Sequence, residues 1–533
     1  MAILSSGSHA ILRVHELKEL FYNSAADDVQ DTKPDDETEN YKEGHLDDSD
    51  TEESSGDSRA SEKTESSNDR VTSVRRRVQF ITSVAAVGGF LSGYNTGVIS
   101  GAMLLVQRNF DLSRRQVENT VASTVLAAFL ASLVGGTLHQ RIGRRGTLMT
   151  AASIFVVGAL LLMFTQNFIM LLIGQMCMGT GVGLESLSSP LYVSEISKPS
   201  IRAKFVSMYA MLLCFGQVFA GVIAGVFSGR QNGWRFMYGC SIFPAICMLV
   251  GYWFLPETPV QLFTCGKDDE AKKVLTSVRE TDDEVESEMR EIKSSLRCTE
   301  NSLANVSTNQ CNENVPVGAD ENPHTSKTLF ERLKHLIMDA PTRRALMVGC
   351  SLMVLQQICG PNAVLYYSAS IYQMAQFDES TSIWLAALTS ASQIIGLVLS
   401  VALVDKAGRR TLTLTSLTLV SISSLGLGFS FYLAKIASGT VDLTLSDDMC
   451  SFQKSLVWSG TTSHCYDCVQ IPGCGYCGGA CVSQSVLGLE IDTCPAGSEW
   501  INEGCSNPFG WLSVLFMLLF LLFFGVGMGG KFI

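Results

Sequence analysis

The chain has 533 residues, of which 47% are apolar and 17% are charged, and its formal net charge is −12 at pH 7. Soluble domains carry about 25% charged residues, so this composition differs from that of an ordinary soluble protein. Residues 1–74 hold 19 acidic and 7 basic residues, which account for the whole net charge. The remainder is neutral, which excludes a basic nucleic-acid-binding domain, and the length excludes a small disulfide-stapled secreted protein.

The segment 24–70 is rich in Asp, Glu, Ser and Thr and has hardly any aromatic or aliphatic residues. Such a segment cannot bury enough apolar surface to offset the entropy lost on ordering. We therefore predict that residues 1–74 form a disordered acidic tail. No basic flank followed by an apolar core occurs near the start, so we expect no secretory signal peptide.

Ten apolar segments follow, each long enough to cross a hydrocarbon core of about 30 Å. They are 78–104, 118–138, 147–166, 168–192, 203–227, 235–256, 344–372, 382–404, 411–436 and 509–530. The sequence therefore predicts an all-α integral membrane protein. Its predicted parts after the tail are a six-helix half (75–256), a polar loop (257–343), three helices (344–436), a cysteine-rich insertion (437–508) and a tenth helix (509–533).

Lys and Arg in the short loops predict the orientation, because cytoplasmic loops carry an excess of them. They cluster after spans two, four and eight, whereas the loops after spans three and seven have none. The N-terminus and the 257–343 loop should therefore face the cytoplasm. The cysteine-rich insertion should face outside, and the plasma membrane is the expected location.

The insertion holds eight of the 17 cysteines. They are Cys450, Cys465, Cys468, Cys474, Cys477, Cys481, Cys494 and Cys505. An even, dense set in an oxidising compartment indicates four disulfides, with the pairing open. The C-x-x-C spacings of 465–468 and 474–477 also fit zinc, an alternative that we disfavour because eight cysteines exceed the four ligands of one site.

Two segments carry the same cationic turn in the two halves of the chain. Residues 140–145 read QRIGRR after span two, and residues 405–410 read DKAGRR after span eight. Glycine permits a tight turn at the membrane face, and the arginine pair can engage headgroups or the ends of neighbouring helices. A turn repeated in register in two halves is typical of a transporter built from parallel repeats.

These turns, together with five further motifs, resemble the sugar porter family of the major facilitator superfamily. The motifs are GYNTGVISG at 93–101, PLYVSE at 190–195, GQ at 216–217, PETP at 256–259 and QQICGPN at 356–362, with Tyr366 and Tyr367 after it. The resemblance covers 78–530 and implies a bundle of twelve helices. The insertion, with GCGYC at 473–477, resembles the plexin-repeat insertion of animal proton/myo-inositol cotransporters.

The resemblance implies a polyol or hexose site between the two halves, with myo-inositol as the leading substrate. Its residues would be Gln217, Gln356, Gln357, Asn362, Tyr366 and Gln393, the last standing where the family usually has Asn. Amides suit a polyol because each offers donors and an acceptor without a buried charge. The alternative is that these amides only join helices to one another.

The family also implies an inner salt-bridge network that opens and closes as the halves rock. Its members here would be Arg144, Arg145, Glu195, Arg202, Glu257, Asp405, Arg409 and Arg410. Gln140 replaces the usual acidic residue of the first turn, and Val260 stands where Arg is common. The network should therefore be thinner than is usual in the family.

Proton-coupled members have an Asp in span one and an Arg facing it in span four. This chain has Asn95 and Gln175 there, and neither titrates, so the residues favour facilitative transport over proton coupling. Glu185 is an unexpected carboxylate within span four and is the candidate for a substitute proton site. No partner for it is evident in the sequence.

The chain stops at Ile533, before the Pro-Trp element of span ten and before spans eleven and twelve of the family. We therefore expect this product to be transport-deficient on its own. The alternative function is a non-transporting membrane protein whose disulfide-rich outer segment binds a partner. No nucleophile–base pair, metal cluster or phosphate loop is evident, so we expect neither an enzyme nor a metal or cofactor site.

Overall fold

The structure, a computed structural model, describes residues 57–303, 340–441, 463–469, 474–483, 505 and 508–529. The chain divides into two units, Met1–Glu65 and Ser66–Ile533.

Six helices form the first half of the bundle, and three short helices follow it. They are α1 (Asp57–Asn109), α2 (Arg114–Met163), α3 (Phe168–Ile196), α4 (Pro199–Phe227), α5 (Gly233–Gly239) and α6 (Ile242–Trp253), then α7 (Pro259–Thr264), α8 (Asp268–Val278) and α9 (Asp282–Leu303). Side-chain caps fix where α2 and α3 begin. Ser113 accepts a hydrogen bond from the Gln116 amide, and Asn167 accepts one from Met170.

In the second half, the cysteine-rich segment is inserted before the last described helix. Its helices are α10 (Ala340–Ile358), α11 (Pro361–Met374), α12 (Glu379–Ala407), α13 (Arg409–Ala437) and, after the insertion, α15 (Gly510–Gly527). The insertion contains β1 (Thr440–Val441), β2 (Ser463–His464), α14 (Cys465–Val469), β3 (Cys474–Cys477) and β4 (Ala480–Ser483). β1 pairs with β2 and β3 with β4, both antiparallel.

Within the described ranges, nine helical stretches are long and apolar enough to cross a membrane. One of them, Arg114–Met163, has 50 residues and is interrupted at Gly143, whose φ is 80° and ψ is 177°. This break separates the predicted second and third spans, so the nine stretches account for all ten. The prediction of a helical integral membrane protein is confirmed.

The structure has helices in two segments that the sequence predicts as a tail and a loop. α1 begins at Asp57, so residues 57–74 of the predicted disordered tail are helical, and residues 1–56 lie outside the described ranges. The polar stretch 257–343 is not a plain loop, because its described part forms α7, α8 and α9. The acidic residues in the first turn of α8 interact favourably with the helix dipole. Ala271, Leu275 and Val278 lie on the buried face of this helix.

Two predicted spans contain breaks that composition does not reveal. Span seven is divided into two helices, because α10 ends at Ile358 and α11 begins at Pro361. Gly360, which lies between them, has φ 83° and ψ 23°. Only glycine adopts this conformation at low cost, and proline suits the first turn of the new helix. Span six is likewise divided between α5 and α6.

A glycine seam on α1 allows α4 to approach closely. A Cβ on Gly93 would lie 1.8 Å from the carbonyl oxygen of Leu213, and one on Gly97 would lie 2.6 Å from that of Gln217. Small residues permit such close packing of helices in membranes. The seam fixes the register of α1 and α4, which both contribute to the site.

The cysteine-rich segment is held by disulfides. Cys465 is joined to Cys505 and Cys468 to Cys481, and Cys474 and Cys477 are also disulfide-bonded. All four cysteines of the two C-x-x-C motifs are therefore in disulfides, and none of them is a free thiolate that could bind zinc. Cys450 and Cys494 lie outside the described residues. Lys435 Nζ, 2.6 Å from Asp467 Oδ1, ties the segment to the end of α13.

Candidate functional site

A narrow crevice with room for about one water molecule in this conformation lies between the two halves of the bundle. Its walls come from α1 and α4 in the first half and from α11 and α12 in the second. The lining residues are Gly97, Ser100, Gly101, Gln217, Gly221, Ala224, Leu365, Ser368, Ile383, Ala386, Ala387 and Ser390. A ligand larger than water would enter only if the halves moved apart, and it would then touch both of them.

Gln217 is the one predicted substrate residue among these lining residues. Its side chain is 3% exposed, and its Oε1 has no hydrogen-bond partner among the described residues. A buried amide oxygen left unpaired costs free energy, so it is ready to accept a bond from a ligand hydroxyl or water. Gln217 is therefore the strongest polar contact that the crevice offers.

Hydroxyl groups join the halves beside Gln217. Ser100 Oγ of α1 lies 2.9 Å from Ser368 Oγ of α11, and it also accepts a hydrogen bond of 3.1 Å from the Ala369 amide. Tyr366 lies within hydrogen-bonding reach of Thr96, next to the crevice residue Gly97. These contacts place span one against span seven at the level of the crevice.

The amides of span seven flank its break. Asn362 Nδ2 donates a hydrogen bond of 2.8 Å to Gln357 Oε1 across Gly360, and both side chains are exposed. Gln356 Nε2 instead donates to the carbonyl of Met528 after α15, at 3.1 Å. Gln357 and Asn362 are thus available to a ligand, whereas Gln356 makes the helix-joining contact of the alternative interpretation.

Gln393 lies on α12, one turn beyond the crevice residue Ser390. It is 6% exposed, and its Oε1 also has no hydrogen-bond partner within the described part of the chain. The structure therefore places Gln217, Tyr366 and Gln393 in or beside one crevice. Gln357 and Asn362 form a separate exposed pair at the break of span seven.

Both repeated cationic turns are built on glycines with positive φ. Gly143 has φ 80° and ψ 177°, and Gly408 has φ 74° and ψ 151°. This region of backbone space belongs almost entirely to glycine. The carboxylate of Glu257 lies over the first turn, where a Cβ on Gly143 would be 2.3 Å from Glu257 Oε2.

Four of the predicted gating residues meet at this first turn. Arg144 Nη2 lies 3.1 Å from Glu195 Oε1, and its backbone amide donates to Glu257 Oε1 at 2.9 Å. The Arg145 amide donates to the same oxygen at 3.2 Å, and its guanidinium bonds the carbonyls of Tyr252 and Trp253. The network therefore links the break in α2 to the ends of α3 and α6 within one half.

The other predicted gating residues lie apart from it. Arg202, Arg409 and Arg410 are exposed, and the side chain of Asp405 lies outside the described residues. Arg202 and Arg410 are absent from the ion pairs found in the described ranges, whereas Arg409 has a further interaction. In this conformation the second cationic turn is not brought onto the Glu195–Glu257 cluster.

The short helices add a buried arginine to this end of the bundle. Arg279 bonds Glu288 at 2.5 and 2.7 Å and donates to the last carbonyl of α3, that of Ile196, at 2.9 Å. Lys198 lies 3.0 Å from Glu284. Partial burial raises the pKa of Glu284, but the hydrogen bond and charge of Lys198 outweigh it, so the pKa lies below its usual value.

At the opposite end, which carries the disulfides, the halves contact each other directly. Arg108 Nη1 at the end of α1 lies 3.0 Å from Glu379 Oε2 at the start of α12. Ser228 Oγ and Ser380 Oγ are 3.4 Å apart at the same end. The crevice is therefore closed over on the disulfide side.

A family model described as "Sugar (and other) transporter" matches residues 81–444. The chain belongs to this family. Its members are transporters rather than enzymes.

Relatives of this sugar transporter include the proton myo-inositol cotransporter of Homo sapiens. The two are 32% identical, over 85% of this chain and 69% of the relative. The arabinose-proton symporter of Escherichia coli is 31% identical, over 70% of this chain and 72% of that protein. Polyols or sugars and protons thus appear in the names of its relatives.

Among solved structures, the xylose transporter XylE from E. coli in its partially occluded inward open conformation has a TM-score of 0.57. The match covers 85% of each chain at 21% identity. At that identity the likeness establishes the fold alone, and it confirms the predicted major facilitator-type bundle.

In this sugar transporter Gln175, which stands in span four where proton-coupled members have Arg, takes part in the packing of the helices. Gln175 accepts a hydrogen bond of 3.1 Å from Thr124 and donates one of 2.7 Å to the Tyr238 hydroxyl. Its polar groups are thereby paired between α2, α3 and α5. Asn95 is 1% exposed, and its Oδ1 has no partner among the described residues.

Glu185 has a partner that the sequence did not indicate. The Tyr252 hydroxyl, 67 residues further along the chain on α6, donates a hydrogen bond of 2.8 Å to Glu185 Oε1. Both side chains are fully buried. The crevice hydroxyls of Ser368 and Ser390 were also missed, because serine in an apolar span is a weak signal without knowledge of which helix faces meet.

Proposed function

We propose that this membrane protein carries a small polyol, with myo-inositol as the leading substrate, by alternating access. The single observation that carries the proposal is the unpaired Gln217 Oε1 within a crevice shared by the two halves. Substrate sites of such transporters lie at the interface of the repeats, near the middle of the membrane.

The chemistry of the crevice suits a ring bearing many hydroxyl groups. Ser100, Ser368 and Ser390 can each donate and accept, and Gln217 can do both through its amide. Among the lining residues there is no charged side chain, so an anionic substrate gains no ion pair there. Pentoses are the competing substrates, because sugar-proton symporters also appear among the relatives.

The contacts suggest how the carrier moves. The halves meet at the disulfide end through Arg108 and Glu379, while the Arg144–Glu195–Glu257 network holds together one half at the cationic end. Rocking that parts the first contact would bring the second cationic turn, with Asp405, Arg409 and Arg410, toward Glu195 and Glu257. Arg202 is proposed to join them in the other state.

We propose that the cationic turns face the cytoplasm and that the disulfides face outside, in the plasma membrane. The Lys and Arg bias of the short loops supports this orientation. The Asn95 and Gln175 positions supply no titrating pair, so they support transport without the usual coupling residues. Any coupling to protons would need a different carboxyl group.

Counterflow in proteoliposomes tests the proposal on the chain as it stands, and it decides between transport and the transport-deficient product that the sequence predicts. Vesicles loaded with unlabelled myo-inositol should accumulate labelled myo-inositol, and vesicles that contain the Gln217→Ala variant should accumulate less. Exchange of arabinose or glucose without exchange of inositol would refute the substrate. Saturable binding without exchange would refute transport by this chain and would favour the alternative, a partner-binding membrane protein.

A further inference from the structure

Glu185 fills a pocket made by a glycine. A Cβ on Gly88 of α1 would lie 1.5 Å from Glu185 Oε1, so the carboxylate occupies the space that any other residue at position 88 would need. Glu185 Oε2 has no hydrogen-bond partner among the described residues, and the nearby Ser189 hydroxyl donates to the carbonyl of Ala85. Half of this buried carboxylate is therefore unpaired.

Further unpaired oxygens lie along the seam between α1 and α4. Asn95 Oδ1 and Gln217 Oε1 are buried and lack a hydrogen-bond partner within the described ranges, whereas the buried Tyr209 hydroxyl has Ser92 and Ser186 within reach without a hydrogen bond of good geometry. Tyr209 lies beside both Glu185 and Ser92. Buried oxygens of this kind are normally paired with ordered water.

The register of the seam orders these atoms. A Cβ on Gly89 would meet the carbonyl of Tyr209 at 2.6 Å, and one on Gly97 would meet that of Gln217 at 2.6 Å. Tyr209 and Gln217 are eight residues apart on α4, which is about 12 Å along a helix. These oxygens therefore lie along the seam between Glu185 and the crevice.

We propose that Glu185 binds and releases the proton that is coupled to polyol binding, and that Tyr209, Ser92, Asn95 and intervening water conduct this proton to the crevice. The inference rests on the proposed function. The proton comes from water and converts the carboxylate to a carboxyl group. On release it returns to water, and no other bond forms or breaks.

The groups around Glu185 fit this role. Tyr252 faces it from α6 and Tyr209 lies beside it from α4, while α1 places Gly88 against its carboxylate. From α2, His139 lies 2.7 Å from Ser188, three residues beyond Glu185. Arg145 lies 3.3 Å from the carbonyl of Tyr252, and among the described residues no ion pair involves the Glu185 carboxylate.

Equilibrium binding across a range of pH tests the coupling. If polyol and proton bind together, the dissociation constant of labelled myo-inositol falls as pH falls, by up to about tenfold per pH unit. Glu185→Gln keeps the shape of the side chain and removes the proton site. This variant should hold the dissociation constant at its low-pH value at every pH. The control is Glu270→Gln, which removes an exposed carboxyl group on α8 and should leave the pH dependence of the dissociation constant unchanged.

Proton kinetics test the path. Tyr209→Phe removes only the hydroxyl, so it should keep the equilibrium pH slope and slow proton uptake on polyol binding, followed with a pH-sensitive dye. Tyr238→Phe removes an equally buried hydroxyl away from the seam and should leave the rate unchanged. A purely structural Tyr209 would shift thermal stability without slowing proton uptake, which would overturn the path.

Two further outcomes separate this inference from the proposed function. Polyol binding with no pH slope, or with a slope that Glu185→Gln leaves intact, overturns the inference and leaves the proposed function standing. If no polyol binds, the proposed function fails. The infrared band of a buried carboxyl then decides the proton site, because its loss in Glu185→Gln supports the site and its absence from the wild type overturns it.

Discussion

Arg108 and Glu379, at opposite sides of the interface between the halves, form an ion pair of 3.0 Å at the disulfide end of the bundle. The arginine is 82% exposed, so the pair contributes at most about 1 kcal/mol. Its importance is its position, because α1 and α12 must separate there before the crevice can open to that side. Ser228 and Ser380, 3.4 Å apart, mark the same contact.

A disulfide at this contact should lock the carrier. We expect Ser228→Cys with Ser380→Cys to form a crosslink on oxidation, since hydroxyls 3.4 Å apart place the two Cβ atoms near disulfide distance. Maleimide labelling of the denatured protein should lose two thiols, and counterflow should stop until reductant is added. Each single variant, which has no partner thiol, is the control. Exchange that continues in the crosslinked protein would contradict alternating access at this contact.

Gln217 should contribute directly to polyol affinity. Removing one neutral hydrogen bond costs about 0.5–1.5 kcal/mol, so Gln217→Ala should weaken myo-inositol binding about three- to tenfold. Gln175→Leu is the matched control, because Gln175 is an equally buried amide whose partners are Thr124 and Tyr238. It should lower thermal stability and leave the affinity of the folded protein unchanged. If Gln217→Ala left the affinity unchanged and Gln175→Leu lowered it, the ligand would bind elsewhere.

The cationic turns should differ in their tolerance of a side chain. Gly143→Ala and Gly408→Ala both force alanine into a glycine region, at a cost of about 1–3 kcal/mol each. Gly143→Ala should be the worse of the two in a thermal-unfolding assay, because its Cβ would also displace Glu257, whereas nothing lies within 4 Å of a Cβ on Gly408. Gly136→Ala, in open space on α2, should be neutral or slightly stabilising. Equal losses at 143 and 408 would count against the Glu257 contact.

Arg279 should anchor the short helices to the bundle. Its side chain is 3% exposed and pairs with Glu288, which is 25% exposed, so Arg279→Met leaves a half-buried carboxylate and the Ile196 carbonyl without their donor. We expect a loss of about 2–3 kcal/mol and a clear fall in melting temperature. Lys293→Met removes the exposed pair with Asp268 and should cost less than about 1 kcal/mol. A similar small loss for both variants would show that Arg279 is not an anchor.

The orientation can be read from thiols. In intact cells, an impermeant reductant followed by an impermeant maleimide should label Cys465 and Cys505, which form a disulfide in the insertion. Cys265, an exposed free thiol after α7, should react only when the membrane is permeabilised. Labelling of Cys265 alone in intact cells would reverse the proposed topology.

Hydropathy and glycine spacing were sufficient to predict the spans and both cationic turns, since each depends on local chemistry. The break at Gly360 was missed, because a broken apolar segment has the same composition as a continuous one. The helices α7 to α9 were missed, because they lie in a polar stretch without a long apolar segment. The Tyr252 partner of Glu185 joins residues 67 positions apart. Contacts of that kind depend on which helix faces meet, and one sequence does not carry that information.

Equilibrium binding of labelled myo-inositol to the purified, disulfide-intact chain tests most directly whether a polyol binds in the crevice beside Gln217. We expect saturable binding that unlabelled myo-inositol displaces better than arabinose or xylose and that Gln217→Ala weakens. Absence of saturable binding by folded protein, or affinity that Gln217→Ala leaves unchanged, would contradict it.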